Sequence, residues 1–248
     1  MEKIRIRGDR DLRLKGRVRI SGAKNAVLPA IAAGLLTSEE IRLRNVPRVK
    51  DVHTILTLIG ELGGTSSIAD DAISVRVARI ASDEASYKLV RAMRASVLVL
   101  GPLLARFGKA VVALPGGCAI GSRPVDQHIA GLEKLGARIS LEHGYIQAQA
   151  DRPRGAVFAF EKKTVTGTEN LMMAAALAKG ETVLRNCALE TEVADLAVLL
   201  NKMGARIEGL GGETLRIHGV RELGGAEHDI IPDRIEAGTF LVAGALTA

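Results

Sequence analysis

The sequence predicts an α/β protein built from repeated βαβαββ modules, with small-residue helices packed inside and sheets outside. Three observations carry this expectation. An amphipathic helix end closed by glycine and followed by a short β-branched run recurs at Gly63, Gly136 and Gly204. The spacing of about 70 residues exceeds a solenoid repeat and suits a whole supersecondary module. Upstream of these helix ends lie helices rich in Ala and Gly, whose small side chains let neighbouring helices approach closely.

The elements follow in order. Residues 25–36 read as the first small-residue helix, and 40–45 alternate in polarity as a strand should. The helix ending at Leu62 stops at Gly63, because glycine readily adopts the left-handed conformation of a helix C-cap. Residues 94–105 read as the second small-residue helix, running into a strand at 110–114, and a further helix starts near Pro124 and closes at Gly136. Residues 170–178 read as the third, followed by a strand at 181–186 and a helix ending at Gly204. A fourth unit opens at 231–238, with 239–248 as its first helix. A unit cut short there cannot cover its own apolar face, so we expect an incomplete polypeptide.

Composition narrows the function. At 248 residues, 47% hydrophobic and 25% charged, the chain can bury a substantial core in one or two domains. No apolar run approaches the roughly 18 residues of a membrane helix, and residues 1–7 alternate charge with Ile, unlike a signal peptide. Two cysteines, Cys118 and Cys187, make no disulfide framework, which points to a reducing cytoplasm. The excess of 34 Lys and Arg over 28 Asp and Glu raises nucleic acid as a partner. With no Trp, four Phe and two Tyr, a base-stacking platform is hard to build. Isolated arginines at loop and helix ends suit small, multiply charged ligands better, so neither nucleic acid nor membrane is expected.

The chemistry concentrates in Leu114-Pro115-Gly116-Gly117-Cys118-Ala119-Ile120-Gly121-Ser122-Arg123-Pro124-Val125-Asp126. Its glycines let backbone turn and approach a ligand, the helix behind it aims its N-terminal amides at the loop, and Arg123 offers a fork suited to phosphate or carboxylate. This reads as an anion site with a reactive thiol, Cys118, on its lid. Cys187 has no glycines around it and reads as structural. His128, one turn into its helix, reads as a surface or partly buried histidine. The five histidines show no metal-ligand spacing, so no metal or other cofactor is expected.

Ser21-Gly22-Ala23-Lys24-Asn25-Ala26, Met93-Arg94-Ala95-Ser96, Pro115-Gly116-Gly117-Cys118, Arg123-Pro124-Val125-Asp126 and Pro232-Asp233-Arg234-Ile235-Glu236 resemble, in order and spacing, the motifs of the enolpyruvyl transferases. The closest resemblance is to the branch that acts on UDP-N-acetylglucosamine. It covers essentially the whole chain but only the first part of the family's length. It implies an inside-out α/β barrel: a contiguous three-repeat domain at 22–232, with 1–21 and 233–248 belonging to a second, split domain.

The resemblance also implies roles. Cys118 would protonate the methylene carbon of phosphoenolpyruvate and can form an adduct with it. Arg123 would bridge both substrates, Lys24 would contact phosphoenolpyruvate, Asn25 the N-acetylglucosamine, and Arg94 the sugar nucleotide. Pro124, Val125, Asp126 and Gln127 would line the nucleotide pocket, and Lys162, Lys163, Thr164 and Val165 would add diphosphate and uridine contacts. The implied reaction is enolpyruvyl transfer to the sugar 3-hydroxyl with release of phosphate, the first committed step of peptidoglycan synthesis and hence part of cell-wall biogenesis, cell shape and division. The family's aspartate base lies beyond residue 248 and Asp233 is not that residue, so little turnover is expected of these 248 residues alone. A shikimate-pathway enolpyruvyl transferase, an RNA-terminal phosphate cyclase and a sugar-nucleotide-binding fragment without turnover stand as alternatives.

Overall fold

The computed structural model describes residues 13–85, 87–114 and 125–247 together with Arg5, apart from the side chains at 88, 91, 92 and 94. Helix α1 (Lys24–Ala33) passes through a 3-10 turn, Gly34–Leu36, into β1 (Glu40–Arg44), then α2 (Lys50–Glu61) and the hairpin β2 (Thr65–Ala69) and β3 (Ala72–Arg76). The second module holds β4 (Glu84–Ala85), α3 (Tyr87–Ala92), a 3-10 turn Arg94–Val99, α4 (Leu100–Phe107), β5 (Lys109–Ala113), α5 (Asp126–Lys134), β6 (Arg138–Glu142) and β7 (Tyr145–Gln149). The third runs β8 (Val157–Ala159), α6 (Val165–Ala176), β9 (Glu181–Arg185), α7 (Thr191–Lys202), β10 (Arg206–Glu208) and β11 (Thr214–His218), and is followed by β12 (Ala226–Asp229) and α8 (Arg234–Leu246).

The strands form three four-stranded sheets of one design, ordered β12-β1-β3-β2, β4-β5-β7-β6 and β8-β9-β11-β10. In each, the first two strands are parallel and the hairpin adds two antiparallel strands. The first module takes its parallel strand from the far end of the sequence: β12 pairs with β1, Ile41 against Ala226 and Arg44 against Asp229. Two asparagines certify the equivalence. Asn45 and Asn186 both sit at φ near +55 (57 and 55) after the second strand of their module. Each donates its side-chain amide to the carbonyl just past the first strand, Ile230 at 2.9 Å and Phe160 at 2.8 Å.

The three recurrent glycines end α2, α5 and α7 in the left-handed region, at φ 100, 91 and 103. Each helix closes with the same pair of bonds: Gly63 to Gly60 and Gly64 to Ile59, Gly136 to Glu133 and Ala137 to Leu132, Gly204 to Asn201 and Ala205 to Leu200. This double closure satisfies carbonyls that a helix end otherwise leaves open.

The small-residue helices form the centre. Residues 26–33 of α1 and 167–176 of α6 are buried throughout, whereas each sheet keeps one face in solvent, as the alternating burial of β1 and β3 records. Gly101 is one of the close approaches between them: a Cβ there would run into both the Asn170 carbonyl oxygen and Asn170 Oδ1.

Three boundaries differ from the sequence expectation. The third inner helix starts at Val165 instead of Asn170, because Thr164 caps it by accepting the Gly167 amide at 3.2 Å. The second is a 3-10 turn up to Val99 and an α-helix only from Leu100, which leaves Pro102, lacking an amide hydrogen, in the first turn where none is needed. The last helix begins at Arg234 instead of Thr239, since Asp233 accepts from the Ile235 and Glu236 amides at 2.7 and 3.2 Å. Among the described residues no helix is long and apolar enough to cross a membrane.

Candidate active site

Topology decides where ligand-binding groups gather. In the second and third modules the inner helix follows the first strand. In the first module α1 instead starts beside the end of β12, where the Ala23 amide donates to the Ile231 carbonyl, and in all three the outer helix follows the second strand. The helix N-termini therefore share one end of the barrel, and side chains tie them together across modules. Lys24 Nζ, opening α1, pairs with Asp51 at the start of α2 at 3.3 Å. The Lys24 amide donates to Asp233 Oδ2 at 3.4 Å, just before α8. Arg234 donates through Nε to Glu192 at the start of α7, at 3.1 and 3.3 Å. Such an end exposes unsatisfied amides and the positive poles of several helices, which favour anions.

Asn25 is exposed beside Lys24. Four residues on stands Pro29, which has no amide hydrogen, so the Asn25 carbonyl loses its usual intrahelical partner and is left for other donors.

A second group forms where α5 meets α6. Gln127 Nε2 donates to the Lys162 carbonyl at 3.0 Å and Gln127 Oε1 accepts from the Lys162 amide at 3.2 Å. This two-point clasp holds Val125, Asp126 and Gln127 against the segment Lys162, Lys163, Thr164 and Val165. Lys163 reaches Glu213 Oε1 at 2.5 Å. Thr168 Oγ1 donates to the Thr164 carbonyl at 2.7 Å and accepts from the Ala188 amide at 3.2 Å, fixing the first turn of α6. The structure thus brings seven of the expected residues together and places Lys24 and Asn25 in a separate cluster with Asp51 and Asp233. Cys118, Arg123 and Pro124 lie outside the described residues, as does the Arg94 side chain, whose backbone opens the 3-10 turn.

His128 is buried, not at the surface, and its exposure is 3%. Burial pushes its imidazole down to about 4, against a smaller opposing pull from Asp126, so it is neutral at physiological pH. Its Nδ1 faces Asn170 Nδ2 at 3.0 Å and its Nε2 faces Thr166 Oγ1 at 3.3 Å. The position was legible: His128, Gly131 and Leu132 are the buried positions of α5, the spacing of an inward helix face.

Other polar groups went unread in the sequence. Glu169 is fully buried, its Oε1 has no partner among the described residues, and burial, with Glu192 and Glu190 nearby, holds its carboxyl well above the usual range. Thr168-Glu169-Asn170 inside an otherwise small and apolar helix was the available signal. Cys187 is buried, donates to the Leu184 carbonyl at 3.5 Å, and has its thiol pushed up to about 11 by burial.

A cavity of about 600 Å³ lies at the opposite end, by the C-termini of the inner helices at Leu36, Arg106 and Leu177. Two of its three arginines, Arg106 and Arg152, are occupied. Arg106 donates to the carbonyls of Leu35, Thr37, Val77 and Ala78, and Arg152 to those of Leu177, Ala178 and Val220. They cap the carbonyl ends of the helices instead of waiting for a ligand.

Residues 9–248 match the family model described as EPSP synthase (3-phosphoshikimate 1-carboxyvinyltransferase). Two curated relatives are named UDP-N-acetylglucosamine 1-carboxyvinyltransferase. The one from Solibacter usitatus (strain Ellin6076) is 59% identical over 100% of this chain and 59% of its own length. The one from Koribacter versatilis (strain Ellin345) is 59% identical over 100% of this chain and 58% of its own. The chain therefore spans under two thirds of the relatives it matches. Among solved structures, the enolpyruvyl transferase NikO from Streptomyces tendae superposes with a TM-score of 0.82 at 24% identity, over 94% of this chain and 55% of that one. EPSP synthase from Acinetobacter baumannii gives 0.73 at 16% identity, over 92% and 52%. These likenesses settle the fold as the enolpyruvyl-transferase barrel.

Proposed function

Because this chain belongs to the EPSP synthase family of enolpyruvyl transferases, we propose that it supplies the sugar-nucleotide half of an enzyme that transfers the enolpyruvyl group of phosphoenolpyruvate to the 3-hydroxyl of UDP-N-acetylglucosamine. Phosphate is released, and the product enters peptidoglycan synthesis. The observation that carries this reading is the 59% identity, across the whole chain, to two relatives named for that activity. Both substrates are cytoplasmic metabolites, and we place the protein there.

In this reading residues 22–232 are one domain. Its support is the closure of the chain on itself, where the Ala23 amide donates to the Ile231 carbonyl at 2.8 Å and the Asp233 amide to the Ser21 carbonyl at 2.8 Å. Residues 1–21 and 233–248 belong to the second domain. Val125, Asp126, Gln127 and the Lys162 to Val165 segment hold the nucleotide at the clasp between α5 and α6. Asn25 meets the N-acetylglucosamine. Lys24, Arg94 and Arg123 supply the cations for phosphate and diphosphate. Addition to phosphoenolpyruvate requires a proton at the methylene carbon, which Cys118 donates, and cations beside the oxocarbenium-like centre and the departing phosphate. Asp233 is committed to capping α8 and receiving the Lys24 amide, so it is not assigned as the base for the sugar hydroxyl.

Calorimetry tests the substrate class: UDP-N-acetylglucosamine should bind this chain and shikimate 3-phosphate should not, and the reverse preference would overturn the reading. An epoxide phosphonate resembling phosphoenolpyruvate should label Cys118 in the presence of the sugar nucleotide, and Cys118→Asp should abolish the label. Mass spectrometry finding the adduct on Cys187 would remove Cys118 from its role.

A further inference from the structure

We infer that His128 and Asn170 are positioning residues for the nucleotide pocket: a neutral imidazole, locked in one tautomer, sets the distance between the first turns of α5 and α6. This rests on the proposed function. Asn170 has no freedom to turn. Its Oδ1 accepts from the Gly101 amide at 2.7 Å, and its Nδ2 donates to the Val97 carbonyl at 2.9 Å. With the amide so fixed, the second Nδ2 hydrogen points to His128 Nδ1 at 3.0 Å, which must accept and so carries no proton. The proton then sits on Nε2 and is donated to Thr166 Oγ1 at 3.3 Å.

The consequence reaches the ligand side. His128 is the neighbour of Gln127, which clasps Lys162, and Thr166 is the neighbour of Val165. A chain of bonds therefore runs from the second module's inner helix, through Asn170 and His128, to the first turn of α6. The groups proposed to hold uridine and diphosphate are joined to it through Gln127 and its bonds to Lys162, and through Val165 next to Thr166. Neither His128 nor Asn170 is at the surface, so both act through their neighbours.

The test compares His128→Leu with His128→Asn by calorimetry, using UDP-N-acetylglucosamine itself. Asparagine Oδ1 replaces the Nδ1 acceptor for Asn170, while leucine leaves that donor buried and unmet. His128→Leu should weaken affinity about tenfold and His128→Asn should recover most of the loss. In the unliganded wild type, long-range proton–nitrogen correlations of the His128 ring should give the Nε2–H tautomer from pH 5.5 to 8. An Nδ1–H or doubly protonated ring would overturn the inference, and so would His128→Leu binding within twofold of wild type. If wild type binds no uridine nucleotide, the proposed function falls first and the pocket role goes with it.

Discussion

Two buried groups give this molecule opposite pH responses. His128 has its imidazole held down to about 4 by burial, below its unfolded value near 6.5. The unfolded chain therefore takes up the proton first as pH falls, and the stability is present above about 6.5 and lost progressively towards 4. The loss amounts to about 3 kcal/mol, and His128→Asn should flatten that limb of a urea-midpoint profile between pH 4 and 7; an unchanged slope would contradict the assignment. Glu169 runs the other way. Its carboxyl is raised well above the usual range by burial and by Glu192 and Glu190, so its contribution is complete below the unfolded value near 4.5 and fades as pH rises through the folded one. Glu169→Gln removes the titration, and should raise the urea midpoint relative to wild type at pH 8 and change it little at pH 5. The sequence reading of Cys187 as structural agrees with its complete burial. His128 was misjudged because its neighbours Asp126 and Gln127 make the helix start look solvated, although the spacing to Gly131 and Leu132 places it on the inward face.

At the scale of elements, small residues set the geometry by where they permit contact. The approach of α4 to α6 depends on Gly101, where a side chain would run into both the carbonyl and the amide oxygen of Asn170. Gly101→Ala should cost about 3 kcal/mol by chemical denaturation, since neither backbone nor the bonded Asn170 can give way. Gly238→Ala is the matched control: it sits in α8 with open space around it, and should be neutral or gain up to about 1 kcal/mol from helix propensity. Equal losses at the two glycines would refute the close-contact account. Repeats of this kind were readable because glycine at a helix C-cap leaves a sharp local signature, and all three fell where expected. Helix starts were read less well. Thr164 and Asp233 are ordinary capping residues, but each precedes a stretch whose apolar content begins only several residues later, and the eye follows the apolar run.

At the scale of the whole molecule, the element hardest to read was β12, because its partner lies at the other end of the chain. Ala226-Glu227-His228-Asp229 is too short and polar to announce a strand, and its pairing with β1 spans some 185 residues, as the Arg44 to Asp229 fork does. No local pattern encodes such a contact. It still closes the first sheet and brings entry and exit of the chain side by side at the Gly22 to Pro232 bridge. His228 anchors it from beneath, buried, with Nε2 at 2.9 Å from Asp195 Oδ1 and Nδ1 at 3.2 Å from Lys202 Nζ. By contrast α8 has no buried residue, and its Leu241, Val242 and Leu246 are exposed. The two segments should therefore respond differently to truncation. Ending the chain after Ala237 keeps the Arg234 to Glu192 pair and removes no buried residue, at the loss of the Arg13 bond to the Thr247 carbonyl, so the thermal midpoint should move by less than about 3 °C, with less self-association in light scattering. Ending it after Glu222 strips β1 of its parallel partner and leaves Asp195 buried without its bond. That chain should lose cooperative unfolding, because an open edge strand and an unpaired interior charge are created together. A cooperative transition within a few degrees of wild type after the second cut would mean that the barrel closes without its last strand.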